Sequence, residues 1–330
     1  MQEFMGLTAA DITIAITVFS RRQFLKQAIG SALNQTVPVR VIVVEDCGPD
    51  AGMEAFVRQE FGSRIEYFRN PSRRGLFDNW NACLDYCKTQ WLSILHDDDY
   101  LAPTFVESTI ELGRHAPDCG LYFGQIVTVD ESGKVLGNTR PQLEDRWQRF
   151  ELADMLDVKT FPFAGIVFKT AYARAAGGFR KTSQYCGDWE MWCKIIGSYG
   201  SAQTQATMGF SRSHEGLERG TTKIHLNGRL RPLSFVQQKR IIHLLRQQGR
   251  EIRFDREEFL RKAPMAVSEL LRRACIWSPR MLRYHIELVR LSRAPSLPYA
   301  TFQTISRVLG LPFVKAASWL AGHTGLDRRL

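Results

Sequence analysis

The sequence predicts an α/β fold in which helices cover both faces of a mostly parallel sheet, followed by a C-terminal helical region. Short apolar runs rich in β-branched residues alternate with segments of helical spacing, and the links between them are short. Those runs are apolar on both faces, which is typical of strands buried inside a parallel sheet. With 330 residues and 44% hydrophobic composition, the chain can bury a large core and hold one large domain plus an appendage.

Four predicted strand–helix pairs follow one another along the first part of the chain. Each strand is a short apolar run, and each following segment repeats its apolar residues at helical spacing. Pro103 suits the first turn of the fourth helix. The strands are predicted at 12–18, 39–44, 65–68 and 91–95, and the helices at 21–33, 52–60, 76–87 and after residue 103.

The pattern becomes less regular after residue 118 and changes again near residue 229. Strands are predicted at 120–129, 134–137 and 163–168, and helices at 170–176 and 188–198. From about Arg229 onward the spacing is helical and the composition is basic. We therefore predict a first domain over 1–228, with halves at about 1–118 and 119–228, and a basic helical region over 229–330.

Carboxylates follow two strands of the predicted sheet. Asp46 and Asp50 follow the second strand, and Asp97, Asp98 and Asp99 follow the fourth. Adjacent carboxylates repel one another unless a cation lies among them, and Mg²⁺ is held in proteins by one or two carboxylates together with substrate phosphates. Ligands of open α/β sheets bind beyond the carboxyl ends of the strands, so we expect both acidic turns to face one cleft. A solvated acidic turn is the alternative.

Several function classes lose their main support in this sequence. It contains no Gly-x-Gly-x-x-Gly after the first strand, no Gly-Lys-Ser/Thr phosphate loop and no Cys-x-x-Cys pair. These absences disfavour dehydrogenases, P-loop proteins and zinc sites. The seven cysteines are scattered, there is no secretory signal, and no apolar run reaches about 18 residues. We expect a cytoplasmic protein, peripheral to the inner face of the cell membrane if its basic region binds lipid.

Basic residues are concentrated in the predicted C-terminal region. Residues 229–330 contain 20 Lys and Arg against 7 Asp and Glu, whereas the preceding residues contain 24 against 27. This asymmetry favours an anionic partner, either a phospholipid surface or a phosphorylated carrier. The apolar segment 301–320 favours a membrane interface, while core helices with a solvated arginine face are the alternative, favoured for 241–271. No nucleic acid is expected, because no recognised module accompanies the charge.

Five ordered elements in the first two thirds of the chain resemble one known family. They are the run 12–20 (ITIAITVFS), the turn 43–50 (VVEDCGPD), the segment from Asn70 through Gly75 to Asn81, the run 95–99 (LHDDD), and the segment 177–192 with its GGF and GDWEMW motifs. In their order and spacing over residues 11–215, they resemble the family 2 glycosyltransferases of the GT-A fold. The resemblance implies a Rossmann-like mixed, mostly parallel sheet, with a nucleotide-binding half followed by an acceptor half.

The resemblance also implies a nucleotide site at the strand ends. Asp46 would contact the nucleobase, and Thr17 and Phe19 would form the walls of its pocket. Arg74 (or Arg73) would contact the nucleotide, and Asp97 would contact the ribose.

A metal site is implied beside the nucleotide, with Mg²⁺ or Mn²⁺ as the cofactor. Counting back from Pro103 places Asp98 at the metal-ligand position, and Asp99 and His214 are the further candidate ligands. His96 stands where many relatives have the first aspartate of an Asp-x-Asp motif. It therefore stays open which of the three aspartates binds the metal and which contacts the ribose. For His214, an ordinary surface histidine is the alternative.

The acceptor side is implied to begin at Asp188, which matches the position of the catalytic base. Gly187 replaces the acid that often precedes it. Aspartate is also a favoured helix N-cap, and one residue can serve both purposes. Trp189 and Trp192 are candidate acceptor contacts, with core packing as the alternative.

Together these residues predict an inverting, metal-dependent glycosyltransferase. It would move a sugar from a nucleotide-diphosphate sugar to a hydroxyl of a glycan or lipid-linked acceptor, in the synthesis of cell-surface polysaccharide. A cation stabilises the leaving diphosphate, and one carboxylate on the opposite side deprotonates the hydroxyl, which implies inversion. The alternative is a nucleotide-sugar-binding or scaffold protein without turnover, a hypothesis motivated by His96 and Gly187.

Overall fold

The computed structural model describes residues 6–138, 143, 145–157, 161, 163–181 and 187–214, without the side chains of 153, 156 and 157. The predicted helical region 229–330 and the domain boundary at 228 lie outside the described residues. The tail segments 241–271 and 301–320 lie outside them as well.

The centre of the sheet is a group of parallel strands in the first part of the chain. Strand β1 (Ile12–Val18) pairs in parallel with β2 (Arg40–Glu45) on one side and with β4 (Trp91–His96) on the other, and β3 (Glu66–Arg69) extends the sheet beyond β2. All seven residues of β1 are buried. A run of β-branched residues with both faces covered therefore forms the middle of the core, as its sequence predicts.

Helices connect these strands in the predicted order. They are α1 (Arg22–Leu33), α2 (Met53–Phe61), α3 (Leu76–Tyr86) and α4 (Phe105–His115), and each begins within two residues of its predicted start. Apolar residues on one face of α1 and α2 join the main core cluster, which includes Leu25, Ile29, Met53 and Val57. Burial of such a face is what holds an amphipathic helix against a sheet.

The second part of the sheet is built around one long strand. This strand, β10 (Ser201–Arg212), pairs in parallel with β6 (Leu121–Val129). It pairs antiparallel with β5 (Tyr100–Leu101) and with β8 (Trp147–Phe150). The sequence did not predict β5, β8, β10 or the short helix α5 (Leu152–Asp157).

The remaining elements complete the described fold. Strand β7 (Val135–Asn138) pairs with β6, and β9 (Val167–Lys169) joins β4 to β6. The strand predicted over 163–168 corresponds to β9, which is only three residues long and begins four residues later than predicted. Helices α6 (Thr170–Ala175) and α7 (Gly187–Tyr199) follow. In the part of the chain that the structure describes, no helix combines the length and the apolar run needed to cross a membrane.

Candidate active site

The carboxyl ends of three parallel strands meet at one edge of the sheet. Val18 is in register with Glu45, and Thr17 is in register with His96. Because neighbouring strands lie about 4.8 Å apart, the turns after β2 and β4 start about 10 Å from each other, with the turn after β1 between them. The two acidic turns therefore lie at the same edge, as the sequence predicts.

The turns after β1 and β2 touch through their backbones. A Cβ atom on Gly48 would lie 1.7 Å from the Phe19 carbonyl oxygen, so only glycine fits at this position. The Arg73 guanidinium lies over the Phe19 ring, 4.5 Å from its centroid. Thr17 is buried, and its hydroxyl donates to the Leu95 carbonyl at 3.4 Å. The predicted pocket walls thus lie at the strand ends, with Arg73 as the basic side chain beside Phe19.

Asp46 holds the segment that leads into α3. One carboxylate oxygen accepts the Arg74 backbone N–H at 2.7 Å and the Asn70 amide at 3.2 Å, and the other accepts the Gly75 backbone N–H at 2.8 Å. A carboxylate has about four lone-pair sites, so about one remains for a further donor. Arg74 contributes its backbone to this contact, while its side chain is exposed.

Asp98 is surrounded by cationic and histidine side chains. Its Oδ2 atom forms an ion pair with Arg21 and lies 2.9 Å from Nε2 of His214. The other ring nitrogen of His214 lies 3.0 Å from a carboxylate oxygen of Glu131. The structure thus brings the predicted candidates Asp98 and His214 into direct contact, and adds Arg21 and Glu131 to the site.

Asp97 faces the turn after β1. Nη1 of Arg21, in that turn, lies 3.9 Å from its Oδ1. Burial raises the pKa of Asp97 above its ordinary value, while the Arg21 charge and the nearby backbone N–H groups of Phe19, Arg21 and Asp97 act in the opposite direction. Asp97 therefore lies where the turns after β1 and β4 meet.

Asp99 points toward β10. Its Oδ1 accepts the Arg212 backbone N–H at 2.8 Å, and burial raises the pKa of the carboxyl to about 6. The Arg212 side chain is buried, and its guanidinium donates to the carbonyls of Asp98, Asp130 and Glu131 at 2.9–3.0 Å. It also donates to the side-chain oxygen of Gln27 at 2.7 Å. Arg212 thus fixes the acidic turn to β10 and α1.

His96 lies in an aromatic stack. Its ring is 4.2 Å from the Phe163 ring and 5.6 Å from the Trp80 ring, measured between centroids. Burial, with a smaller effect of Arg21, lowers the pKa of His96 to about 4, so the imidazole is neutral at pH 7. Its 3.8 Å approach to Asp99 is therefore not an ion pair.

Asp188 lies in the first turn of α7. One carboxylate oxygen accepts the Trp189 backbone N–H at 2.7 Å, and burial raises the pKa of Asp188 to about 6. The preceding Gly187 faces α3, where a Cβ atom would lie 2.2 Å from Cε1 of Phe77. Because Phe77 follows the segment that Asp46 holds, the start of α7 lies beside the end of that segment. The Phe77 ring also explains why Gly187 carries no side chain.

The two predicted acceptor tryptophans are buried. Trp192 is 1% exposed, and its ring packs against Phe163, Phe168 and Phe179 with centroid distances of 5.1–5.9 Å. Trp192 is therefore a core residue, which was the alternative considered for it, and these contacts do not support a sugar contact. Trp189 is 9% exposed, at the limit of burial, and its acceptor contact stays a prediction.

Comparison with known proteins assigns this arrangement to a family. Residues 13–171 match the family model described as "Glycosyl transferase family 2", a range that contains the ends of β1, β2 and β4. Residues 13–171 form a glycosyl transferase family 2 domain.

Curated relatives of this family 2 chain include uncharacterized glycosyltransferases of Rickettsia. That of Rickettsia bellii (strain RML369-C) is 26% identical over 194 residues, which are 56% of this chain and 27% of the relative. The succinoglycan biosynthesis protein ExoO of Rhizobium meliloti (strain 1021) is 30% identical over 102 residues, which are 31% of this chain and 29% of ExoO. The chain thus spans less than a third of the length of these relatives.

Solved structures confirm the GT-A fold. The crystal structure of S. aureus TarS 1-349 has a TM-score of 0.57 at 10% identity, and covers 97% of this chain and 91% of its own. The complex of TarS 1-349 with UDP-GlcNAc has a TM-score of 0.53 at 12% identity, with 94% and 86% coverage.

The residues at the acidic turn of this family 2 chain fit a divalent cation. His96, Asp98 and Asp99 each offer a ligand atom, and these atoms lie within 4.8 Å of one another. Carboxylate oxygens are the donors that Mg²⁺ and Mn²⁺ prefer. Asp99 already accepts the Arg212 N–H, whereas Asp98 faces only partners that a cation can replace, within the part of the chain that the structure describes.

Sequence reasoning missed Arg21, Arg212 and Glu131. Arg21 and Arg22 directly follow Ser20, the last residue of the first family element. Two arginines just after a predicted strand end were the signal from which a contact between Arg21 and the acidic turn could have been predicted. Arg212 and Glu131 had no comparable signal, because their contacts depend on the register between β10 and its neighbours.

Proposed function

We propose that this protein transfers a sugar from a nucleotide-diphosphate sugar to a hydroxyl of a glycan or lipid-linked acceptor, with inversion and with a divalent metal. The observation that carries the proposal is the meeting of Asp46, Asp97 and Asp98 at one sheet edge, with Asp188 in the first turn of α7, next to the start of α3 that Asp46 holds in place. Family 2 membership supports the reaction class, and the crystallisation of TarS with UDP-GlcNAc and with UDP supports the donor class.

The donor half of the proposal rests on the strand ends. The nucleobase would lie between Phe19, Thr17 and Asp46, where Asp46 retains an accepting site beside its three backbone and amide donors. Asp97 would accept from a ribose hydroxyl. The Arg73 guanidinium lies over the Phe19 ring and would contact the nucleotide.

The diphosphate would lie at Asp98. In this proposal Asp98 is the main ligand of Mg²⁺ or Mn²⁺, and His214 and Asp99 are the further candidates. When bound, the metal supplies Lewis-acid stabilisation of the charge on the leaving diphosphate. Arg212 keeps the Asp98 backbone in place through a 2.9 Å hydrogen bond.

Asp188 would act as the general base. A base works best when its pKa lies near the operating pH, and burial brings the pKa of Asp188 to about 6. At pH 7 the carboxylate is mostly ionised and retains a stronger proton affinity than an ordinary aspartate. It would take the acceptor hydroxyl proton as that oxygen attacks the anomeric carbon from the side opposite the diphosphate, which inverts the configuration.

The acceptor and the location belong to the same proposal. Trp189 is the residue proposed to contact the acceptor. The name of ExoO, a succinoglycan biosynthesis protein, supports a role in polysaccharide synthesis. The excess of 20 Lys and Arg over 7 Asp and Glu in 229–330 supports a cytoplasmic protein that binds the inner membrane face.

The decisive experiment measures donor binding and donor consumption separately. Thermal shifts with UDP, GDP, dTDP and CMP in Mn²⁺ identify the base, and donors of that base are then assayed with glycan and lipid-linked acceptors. We expect EDTA and Asp98→Ala to abolish turnover. Asp188→Asn should lower kcat by about 10²–10⁴-fold, the usual contribution of a general base, while donor binding is retained.

Asp118→Ala is the matched control, since Asp118 is an exposed acid paired with Arg149 away from the strand ends. It should leave both binding and turnover unchanged. Full turnover by Asp98→Ala or Asp188→Asn would refute the assigned roles. Nucleotide binding without consumption of any donor would instead favour the non-catalytic alternative.

A further inference from the structure

Arg21 forms the most exposed contact of the acidic turn. It lies between β1 and α1, and its guanidinium pairs with Asp98 Oδ2, 3.3 Å from Nε2 of His214 and 3.9 Å from Asp97 Oδ1. Its side chain is 46% exposed, whereas that of Asp98 is 15% exposed. The acid is thus fixed and enclosed, while the cation that neutralises it can swing into solvent.

We propose that Arg21 exchanges partners during donor binding: it neutralises Asp98 in the free protein and moves to the donor diphosphate when a divalent cation takes Asp98. This inference rests on the proposed function and adds to it a diphosphate-binding residue that also competes with the metal. Arg21 and the cation cannot both use the same Asp98 oxygen, because a small hard cation requires direct contact with it.

The backbone of Arg21 keeps it within reach of both partners. Arg21 follows β1, whose Thr17 is in register with His96 of β4, so the turn after β1 starts beside the acidic turn even when the Arg21 side chain leaves. A displaced guanidinium would remain next to the bound cation, where the phosphate oxygens must also lie. Arginine binds phosphate through two parallel N–H donors, so this new partner compensates for the lost carboxylate.

The neighbouring arginines do not share this freedom. The Arg212 guanidinium is buried and donates to four oxygen atoms on three segments of the chain. Arg22 follows Arg21 directly, but its guanidinium pairs with Asp50 at 2.6 Å and lies over the Phe56 ring. Arg22 is therefore a matched control: it is also an arginine, its side chain is 43% exposed against 46% for Arg21, and it has no ion pair with Asp97 or Asp98.

The test measures Mn²⁺ alone and Mn²⁺ with a nucleotide on the full-length protein. Electron paramagnetic resonance gives the affinity for free Mn²⁺, and calorimetry at saturating Mn²⁺ gives the affinities for UDP, GDP and dTDP. Removal of one partly exposed ion pair should let Arg21→Gln bind Mn²⁺ about two- to fivefold more tightly. Loss of a charge-assisted phosphate contact should weaken its nucleotide binding about tenfold or more. Arg22→Gln should match the wild type in both.

Arg21→Lys separates charge from geometry. It retains the cation that competes for Asp98 but loses the planar pair of donors, so Mn²⁺ affinity should stay near wild type while nucleotide affinity falls. If Arg21→Gln has the same Mn²⁺ affinity and the same nucleotide affinities as the wild type, the exchange of Arg21 is refuted while the proposed function stands. If the wild type binds none of the three nucleotides with Mn²⁺, the proposed function fails and the exchange of Arg21 fails with it.

Discussion

Replacing Arg212 by methionine should loosen the acidic turn while the parallel strands stay folded. The long apolar stem of methionine can keep the packing that Arg212 makes against Phe24 and Tyr100, but it removes the guanidinium that lies 4.5 Å and 5.6 Å from those rings. The substitution thus deletes hydrogen bonds with little change in volume. The backbone N–H of residue 212 can still donate to Asp99.

The size of the effect follows from the acceptors left behind. Four oxygens lose a charged donor: the carbonyls of Asp98, Asp130 and Glu131 and the side chain of Gln27. A hydrogen bond to a charged group contributes about 1.5–3 kcal/mol, but water can reach the acceptors on the exposed residues Gln27 and Glu131. We therefore expect a loss of about 2–4 kcal/mol in the free energy of unfolding.

Urea unfolding followed by circular dichroism measures this loss, and hydrogen exchange locates it. Faster exchange should be confined to the acidic turn and to the turn at Asp130–Glu131. Arg58→Met is the control, because Arg58 forms an exposed i,i+4 ion pair with Glu54. Such a pair contributes about 0.5 kcal/mol or less. If both variants lose the same free energy, Arg212 does not hold the turn.

Two further predictions concern the start of α7. Burial raises the pKa of Asp188 to about 6, so between about pH 4 and 6 the folded state retains a proton that the unfolded state releases, and wild-type stability falls as pH rises. Asp188→Asn lacks this loss, so urea unfolding should show it more stable than the wild type by about 1–3 kcal/mol at pH 7.5 and equally stable near pH 4. The kcat of the wild type should fall below about pH 6, where the base becomes protonated. A stability difference between variant and wild type that is the same at both pH values would refute the raised pKa. Gly187→Ala should lose about 1–3 kcal/mol because its Cβ would lie 2.2 Å from the Phe77 ring. Gly30→Ala, in helix α1 with open space around it, should instead gain about 0.5–1 kcal/mol, and the same sign in both would contradict the clash.

The parallel centre of the fold could be predicted because its signal is local. Strands β1, β2 and β4 are short segments dominated by apolar residues, most of them β-branched or leucine, and they are almost entirely buried. Strand β10 carries the sequence SAQTQATMGFSR, in which polar residues interrupt the apolar ones. Its burial comes from pairing with β5, β6 and β8, which lie 50 to 110 residues away in the chain, and no local pattern records those partners.

The same distinction applies to the site. The acids at the strand ends could be grouped from the sequence, since strand order alone brings them to one edge. Their partners could not: Arg21 reaches Asp98 from another turn, and Arg212 does so from β10. Trp192 was a candidate acceptor contact because aromatic residues bind sugars as well as fill cores, and its packing against Phe163, Phe168 and Phe179 depends on tertiary structure.

Three consecutive aspartates, alike in the sequence, have three different environments in the structure. Asp97 is buried beside the turn after β1, and Asp99 accepts the backbone N–H of Arg212 on β10. The replacement of either buried carboxylate should therefore damage folding as well as binding. Among the described residues, the carboxylate of Asp98 pairs only with side chains that can move, Arg21 and His214. It is thus the acid of the run whose alanine variant can separate loss of cation binding from loss of the fold.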